Sequence, residues 1–241
     1  MRNGCERMKY KIAIVFLVLV FLFSAGKVGK TLYDYHKADQ IHKTEQVQFT
    51  SVGEVAPIQV AFDELLKENS EVTGWLYCPN TPINYPVVQA KDNNKYLRRD
   101  LHGKYLVTGT LFVDFRNHAI TEDRNFIIYG HNMKDDSMFA SLLNYNDQSY
   151  YEAHPILYYL TPNGDYKIEL IAGLLVPANS KLYHPSPDEL WLSEFLTEAK
   201  ANSGFISSVA LSDSDRIITL STCSYDKKKA RYVLIGKLIK L

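Results

Sequence analysis

The chain reads as a mainly β protein, a barrel or a sandwich, on two observations. From Gly74 onward, short apolar runs rich in Val, Ile, Tyr and Phe recur at close spacing. Proline, glycine and asparagine separate them, which is how a chain of many short strands is punctuated. With 241 residues, 46% of them hydrophobic, the chain can bury one sizeable core beyond any membrane segment, so one folded domain is expected.

Residues Ile12 to Phe23 are unbroken apolar, and Arg2, Arg7, Lys9 and Lys11 precede them. Positive charge stays in the cytoplasm, so the pattern predicts a single-pass cell-membrane protein with its bulk outside. With Ser24, Ala25 and Gly26 the stretch is fifteen residues, short for a span of about 20. Lys27 and Lys30 can snorkel to the far interface and lengthen it. Ser24-Ala25-Gly26 also has the small-residue character of a cleavage site, so anchor and signal peptide both fit. The expected division is residues 1–30 as cytoplasmic tail and anchor, 31–57 as linker or stalk, and 58–241 as the folded domain.

The segment from Thr31 to Pro57 is polar with little periodicity and suits a stalk. Pro57 then opens an expected amphipathic helix, with Ile58, Ala61, Phe62, Leu65 and Leu66 on one stripe. Strands are expected at Trp75–Tyr77, Tyr85–Gln89, Thr110–Val113, Asn125–Tyr129, Ile156–Leu160, Lys167–Val176, Ile217–Cys223 and Arg231–Leu238. A short helix is expected from about Ser137. A longer one is signalled by Ser186-Pro187-Asp188-Glu189, with Ser186 as N-cap, then by a stripe of Leu192, Phe195, Leu196 and Ala199, and by Gly204 as its stop. That helix, between the strand ending near Val176 and the strand ending at Cys223, would form a wall beside the Cys223 thiol.

Formal net charge is zero, with 27 basic and 27 acidic residues, which argues against a nucleic-acid partner. Cys5, Cys78 and Cys223 are odd in number and widely spaced, so neither a zinc site nor a disulfide framework fits. Cys78, between Tyr77 and Pro79, suits a small buried hydrophobe. Cys223 differs: it ends a β-branched strand whose last residues, Ser221 and Thr222, are small and hydroxylated. The polar turn Ser224 to Ala230 leads into the next strand, so a hairpin would set Cys223 beside Arg231. Of seven histidines, His131 stands out, because it follows the apolar strand Phe126–Tyr129 and a glycine. Strand ends are where rigid scaffolds present catalytic groups to solvent.

The segments Tyr129-Gly130-His131-Asn132-Met133 and Thr219-Leu220-Ser221-Thr222-Cys223, with Arg231 following, resemble the sortases, membrane-anchored cysteine transpeptidases of Gram-positive bacteria. The likeness runs from about Ile58 to Leu241 and includes Gly74-Trp75-Leu76, Ile83 to Gln89 and Gly109 to Asp114. The helix before the barrel and the long helix before the cysteine strand make it look like class B. The resemblance implies a closed eight-stranded β-barrel and a reaction that cuts a C-terminal sorting signal and passes the acyl group to an amine. Cys223 suits the nucleophile, since a thiolate attacks an amide carbonyl at neutral pH. His131 suits the group that protonates the leaving amine and deprotonates the incoming one. Arg231 cannot act as a base and is left with holding the carbonyl or oxyanion. Asp226, Asn132 and Asp114 are candidate orienting groups, and nothing in the sequence singles one out.

By the same resemblance Ser221, Asn93 and Leu97 match positions lining the peptide groove, and Tyr183 does so by rough placement. Leu97 and Tyr183 suit ordinary core equally well. The expected partners are a sorting-signal-bearing surface protein, a peptidoglycan or lipid-linked precursor amine as acceptor, and the membrane through the N-terminal helix. No cofactor or metal is called for. Competing readings are a pilin-polymerising sortase, a hydrolytic cysteine peptidase and a non-catalytic peptide-binding surface module.

Overall fold

The computed structural model describes residues 2–212, 214–223 and 230–241, with residues 2–7 and Cys223 as backbone alone. The Cys223 side chain and the turn residues 224–229, Asp226 among them, lie outside the described residues.

The chain divides into two compact units, Met1–Ile41 and His42–Leu241. The first is helical. Helix α1 (Arg2–Phe49) begins there, and every side chain from Ile12 to Phe23 is exposed. By length and composition α1 can cross a membrane, its most apolar stretch having a mean hydropathy of 2.4.

The second unit is built on an eight-stranded closed barrel. Its strands are β3 (Val72–Tyr77), β4 (Asn84–Val88), β5 (Leu111–Val113), β6 (Asn125–Gly130), β7 (Ile156–Leu160), β8 (Tyr166–Pro177), β9 (Ile217–Cys223) and β10 (Ala230–Lys240), closing in the order β10-β8-β7-β3-β4-β5-β6-β9. All eight overlap the expected strands. Closure leaves no bare edge, and Trp75, Leu76, Ile127, Leu220 and Leu234 are fully buried, each such side chain contributing about 1.5–3 kcal/mol. Most neighbours are antiparallel, but β4 with β5 and β6 with β9 run parallel. The β6–β9 pair therefore needs a long crossover, and residues 131–216 supply it with β7, β8, α3 (Gln148–Ala153) and α4 (Glu189–Ala201).

Before the barrel the structure departs from expectation. Thr31 to Phe49 is not an irregular stalk but helix, and the compact unit starts at His42 rather than Ile58. The last turns of α1 place His42, Glu45 and Phe49 inward, at i, i+3 and i+7. Two of these three are polar, which hides the stripe from a hydrophobicity reading. His42 Nε2 lies 2.9 Å from Thr108 Oγ1 and Nδ1 3.2 Å from Glu45 Oε2, so the buried ring is satisfied at both nitrogens. The helix expected from Pro57 starts later. Ile58–Val60 instead forms β2, antiparallel to β1 (Thr50–Val52), and α2 covers Phe62–Glu68. Ile58 and Val60 also satisfy the period-2 pattern of a strand, and pairing with β1 decided between the two readings.

Two further helix boundaries moved. Asp136 and Met138 have φ of 61° and 57°, a left-handed backbone that interrupts a helix. The short helix expected from Ser137 becomes a 3₁₀ segment, Ala140–Asn146, followed by α3. For α4 the N-cap is Asp188, whose Oδ1 accepts from Trp191 N at 2.9 Å, rather than Ser186. The helix ends at Ala201, before Gly204. Gly204 is needed for contact instead: its N–H donates to Gly173 O at 2.9 Å, and a Cβ there would come within 2.5 Å of Asn146 Cα. α4 buries Leu192, Leu196 and Ala199 among Ile171, Ala172, Val176, Ile217 and Val233.

Candidate active site

Strand register gathers the three expected catalytic residues at one barrel end. In the parallel β6–β9 pair Gly130 partners Thr222. One residue further on, the strands reach His131 and Cys223, and adjacent strands lie about 4.8 Å apart. In the antiparallel β9–β10 pair Cys223 partners Arg231. The ends of three neighbouring strands thus bring positions 131, 223 and 231 together along the backbone. Gly130 is required for tight packing, since a Cβ would come within 2.5 Å of Leu111 Cδ2 and 2.6 Å of Phe139 Cδ2.

The loop that carries His131 is pinned. Phe139 N donates to His131 O at 2.9 Å, Asn132 and Met138 form a β-bridge, and Met138 N donates to Tyr85 Oη at 3.1 Å. Burial, with the positive charges of Arg98 and Arg231, pulls the His131 imidazole down to about 4. At neutral pH these influences favour the uncharged ring, which can accept a proton from a thiol or an amine.

A cleft of about 490 Å³ opens over this end, lined in part by His131, Thr222, Arg231, Phe112 and Arg116. Asn93, Leu97, Tyr183 and Ser221, the four expected groove residues, all line it too. Tyr183 Oη and Ser221 Oγ are 2.9 Å apart. The segment between β8 and α4 forms one wall of the cleft, through Ala178, Asn179, Ser180 and Tyr183. Helix α4 itself is not that wall: it lines a separate surface hollow with Arg124, Leu211 and Ile217, toward the start of β9.

Asp114, left undecided among orienting groups on sequence grounds, is fully buried beside this cleft. Its carboxylate accepts from Arg116 Nε and Nη2 at 2.8 Å each, from Tyr129 Oη at 2.8 Å and from Asn93 Nδ2 at 3.2 Å. Burial opposes its ionisation, but the hydrogen bonds from Arg116 and Tyr129 outweigh it and hold the carboxyl below its usual range. Burial and the Asp114 charge push the Tyr129 hydroxyl far up, so it remains a donor. The spacing Asp114-x-Arg116 was visible in the sequence, but the convergence of Asn93 and Tyr129 on it depends on the barrel.

A sortase-domain family model matches residues 76–239. The chain belongs to the sortase family. A sortase B of Listeria monocytogenes is 35% identical over 91% of this chain and 92% of its own length. Among solved structures, sortase B from B. anthracis superposes with a TM-score of 0.75 at 32% identity, covering 87% of this chain and 100% of that one. A Staphylococcus aureus sortase B–substrate complex gives 0.70 at 34% identity, over 75% and 85%. These relatives make this sortase a class B member with the family's barrel, and an enzyme: a cysteine transpeptidase that anchors surface proteins to the cell wall. Class B kinship does not favour the pilin-polymerising reading.

Proposed function

We propose that this sortase uses Cys223, His131 and Arg231 to cleave a C-terminal sorting signal and join the new carboxyl end to an amine of peptidoglycan or its lipid-linked precursor. It works from the outer membrane face, held by the Ile12–Phe23 segment of α1. The observation that carries the reading is the shared end of β6, β9 and β10, with Arg231 across from Cys223 and His131 one step past the Gly130–Thr222 pair.

The chemistry follows from residue types. Cys223 gives its proton to neutral His131, and the resulting thiolate is favoured by the imidazolium and by Arg231. The thiolate attacks the scissile carbonyl carbon, and the carbonyl oxygen takes up the negative charge, held by Arg231 donors. As the C–N bond breaks, the leaving amine takes the His131 proton and a thioester remains. The acceptor amine then attacks the thioester, its proton passes to His131, the new amide forms and the Cys223 thiolate is released. Ser221, Asn93, Leu97 and Tyr183 line the route of the signal peptide. An amine acceptor separates this cycle from plain hydrolysis, in which water takes the acyl group.

Class B sortases often use asparagine-proline-x-threonine-asparagine signals, and some accept motifs ending in threonine-glycine. The test is therefore mass analysis of products from a peptide library spanning both, incubated with and without an amine acceptor. The expected result is an amine-dependent amide product that Cys223→Ala abolishes. Equal hydrolysis in both conditions would support the peptidase reading, and thiol-independent binding without cleavage would support the peptide-binding module.

A further inference from the structure

Asp114 links the two sides of the cleft. Its carboxylate holds Asn93 and Tyr129 on the barrel side, and Arg116 carries the same pair across, donating from Nη2 to Tyr183 O at 2.6 Å. Asn93 is held at its other end as well, its Oδ1 accepting from Phe115 N at 2.9 Å. Gln89 Nε2 donates to the backbone oxygens of Asp114 and Asn117 at 3.0 and 2.8 Å, so the loop bearing the pair is itself tied to the barrel. The Tyr183 ring, 6.0 Å from that of Tyr129, ends its reach at Ser221 Oγ, two residues before Cys223.

We propose that the Asp114–Arg116 pair is the positioning clamp of the peptide groove, setting the spacing between the barrel wall at Asn93 and Tyr129 and the crossover segment at Tyr183. The proposal rests on the sortase reading of the cleft and deepens it. Neither residue enters the bond-making steps. Arg116 is suited to the task because its planar guanidinium meets both carboxylate oxygens and keeps a donor for a third group, a geometry that lysine lacks. The backbone oxygen of Tyr183, in a segment without regular secondary structure, gains a fixed partner from it.

The experiment compares the full-length chain in detergent with Arg116→Lys and with the double variant Asp114→Asn/Arg116→Gln, which removes both charges together and leaves neither buried alone. The readouts are KM and kcat for a fluorogenic asparagine-proline-x-threonine-asparagine peptide set, the rate of Cys223 alkylation by iodoacetamide, and the unfolding midpoint. The clamp predicts that KM rises about tenfold, the equivalent of one lost charge-assisted hydrogen bond, with kcat and alkylation within about twofold. Arg116→Lys, which keeps the charge but not the fork, should show most of the KM rise. An unchanged KM would overturn the clamp, as would parallel loss of alkylation, kcat and thermal stability, which marks a general structural role. Thiol-dependent cleavage by the parent chain, scored separately against Cys223→Ala, tests the sortase reading itself.

Discussion

Arg231 pairs directly with Cys223 in the β9–β10 ladder. In an antiparallel pair, residues in register share a face of the sheet, so positions 223 and 231 are neighbours across the ladder. That relationship makes the role of the arginine testable by changing its geometry while keeping its charge.

Arg231→Lys is expected to lower turnover by about 10²–10³, the loss that follows removal of one oxyanion donor. The alkylation rate of Cys223 should change far less, because a positive charge stays beside it. If turnover stays near normal, or if alkylation and turnover slow in parallel, the arginine acts mainly as a point charge on the thiolate.

A small alkylating reagent should modify Cys223 before Cys78. Burial pushes the Cys78 thiol up and closes it to solvent, whereas Cys223 ends a strand at an open cleft. Peptide mapping after brief treatment checks the order, and modification of Cys78 first would contradict it.

His131 has a pH signature with a definite sign. Its folded-state value of about 4 lies below the ordinary 6.5, so between these values the unfolded chain binds more protons than the folded one. This contribution to stability is fully present above about pH 6.5 and is lost as pH falls toward 4. Urea unfolding at pH 7 and pH 4.5 should show a smaller pH difference in His131→Gln than in the parent. An identical difference would mean that His131 is not held neutral.

Tyr85→Phe removes the hydroxyl that accepts from Met138 N. The buried N–H then lacks that partner, a cost of about 1–3 kcal/mol, and the loop behind His131 is less firmly held. Chemical denaturation should report the destabilisation, and steady-state kinetics a fall in kcat at near-constant KM. A rise in KM alone would place Tyr85 in peptide binding.

Truncation separates anchor from fold. A chain starting at Thr31 should be soluble and active, because the compact unit begins at His42. One starting at Ile58 loses buried Phe49 and Ala56 and the β1 partner of β2. Loss of an aromatic core side chain such as Phe49 costs about 3–5 kcal/mol, so the shorter chain should unfold at a markedly lower temperature. Equal stability of the two would return the boundary to the stalk position.

The sequence by itself determined the eight strands, since each is a short β-branched or aromatic run with a turn signal on either side, and that pattern is local. It also pointed to His131, Cys223 and Arg231, each next to an expected strand end, through the resemblance of the segments that carry them to sortases. Tertiary structure decided everything that depended on a distant partner. Ile58–Val60 is strand rather than helix because Thr50–Val52 pairs with it, and His42 and Glu45 turn inward because Thr108 and the core wait for them. Asp114 emerged only once the barrel brought Asn93, Arg116 and Tyr129 around one carboxylate. Periodicity reports which face of an element is apolar, whereas a buried charge is legible only after the chain has closed around it.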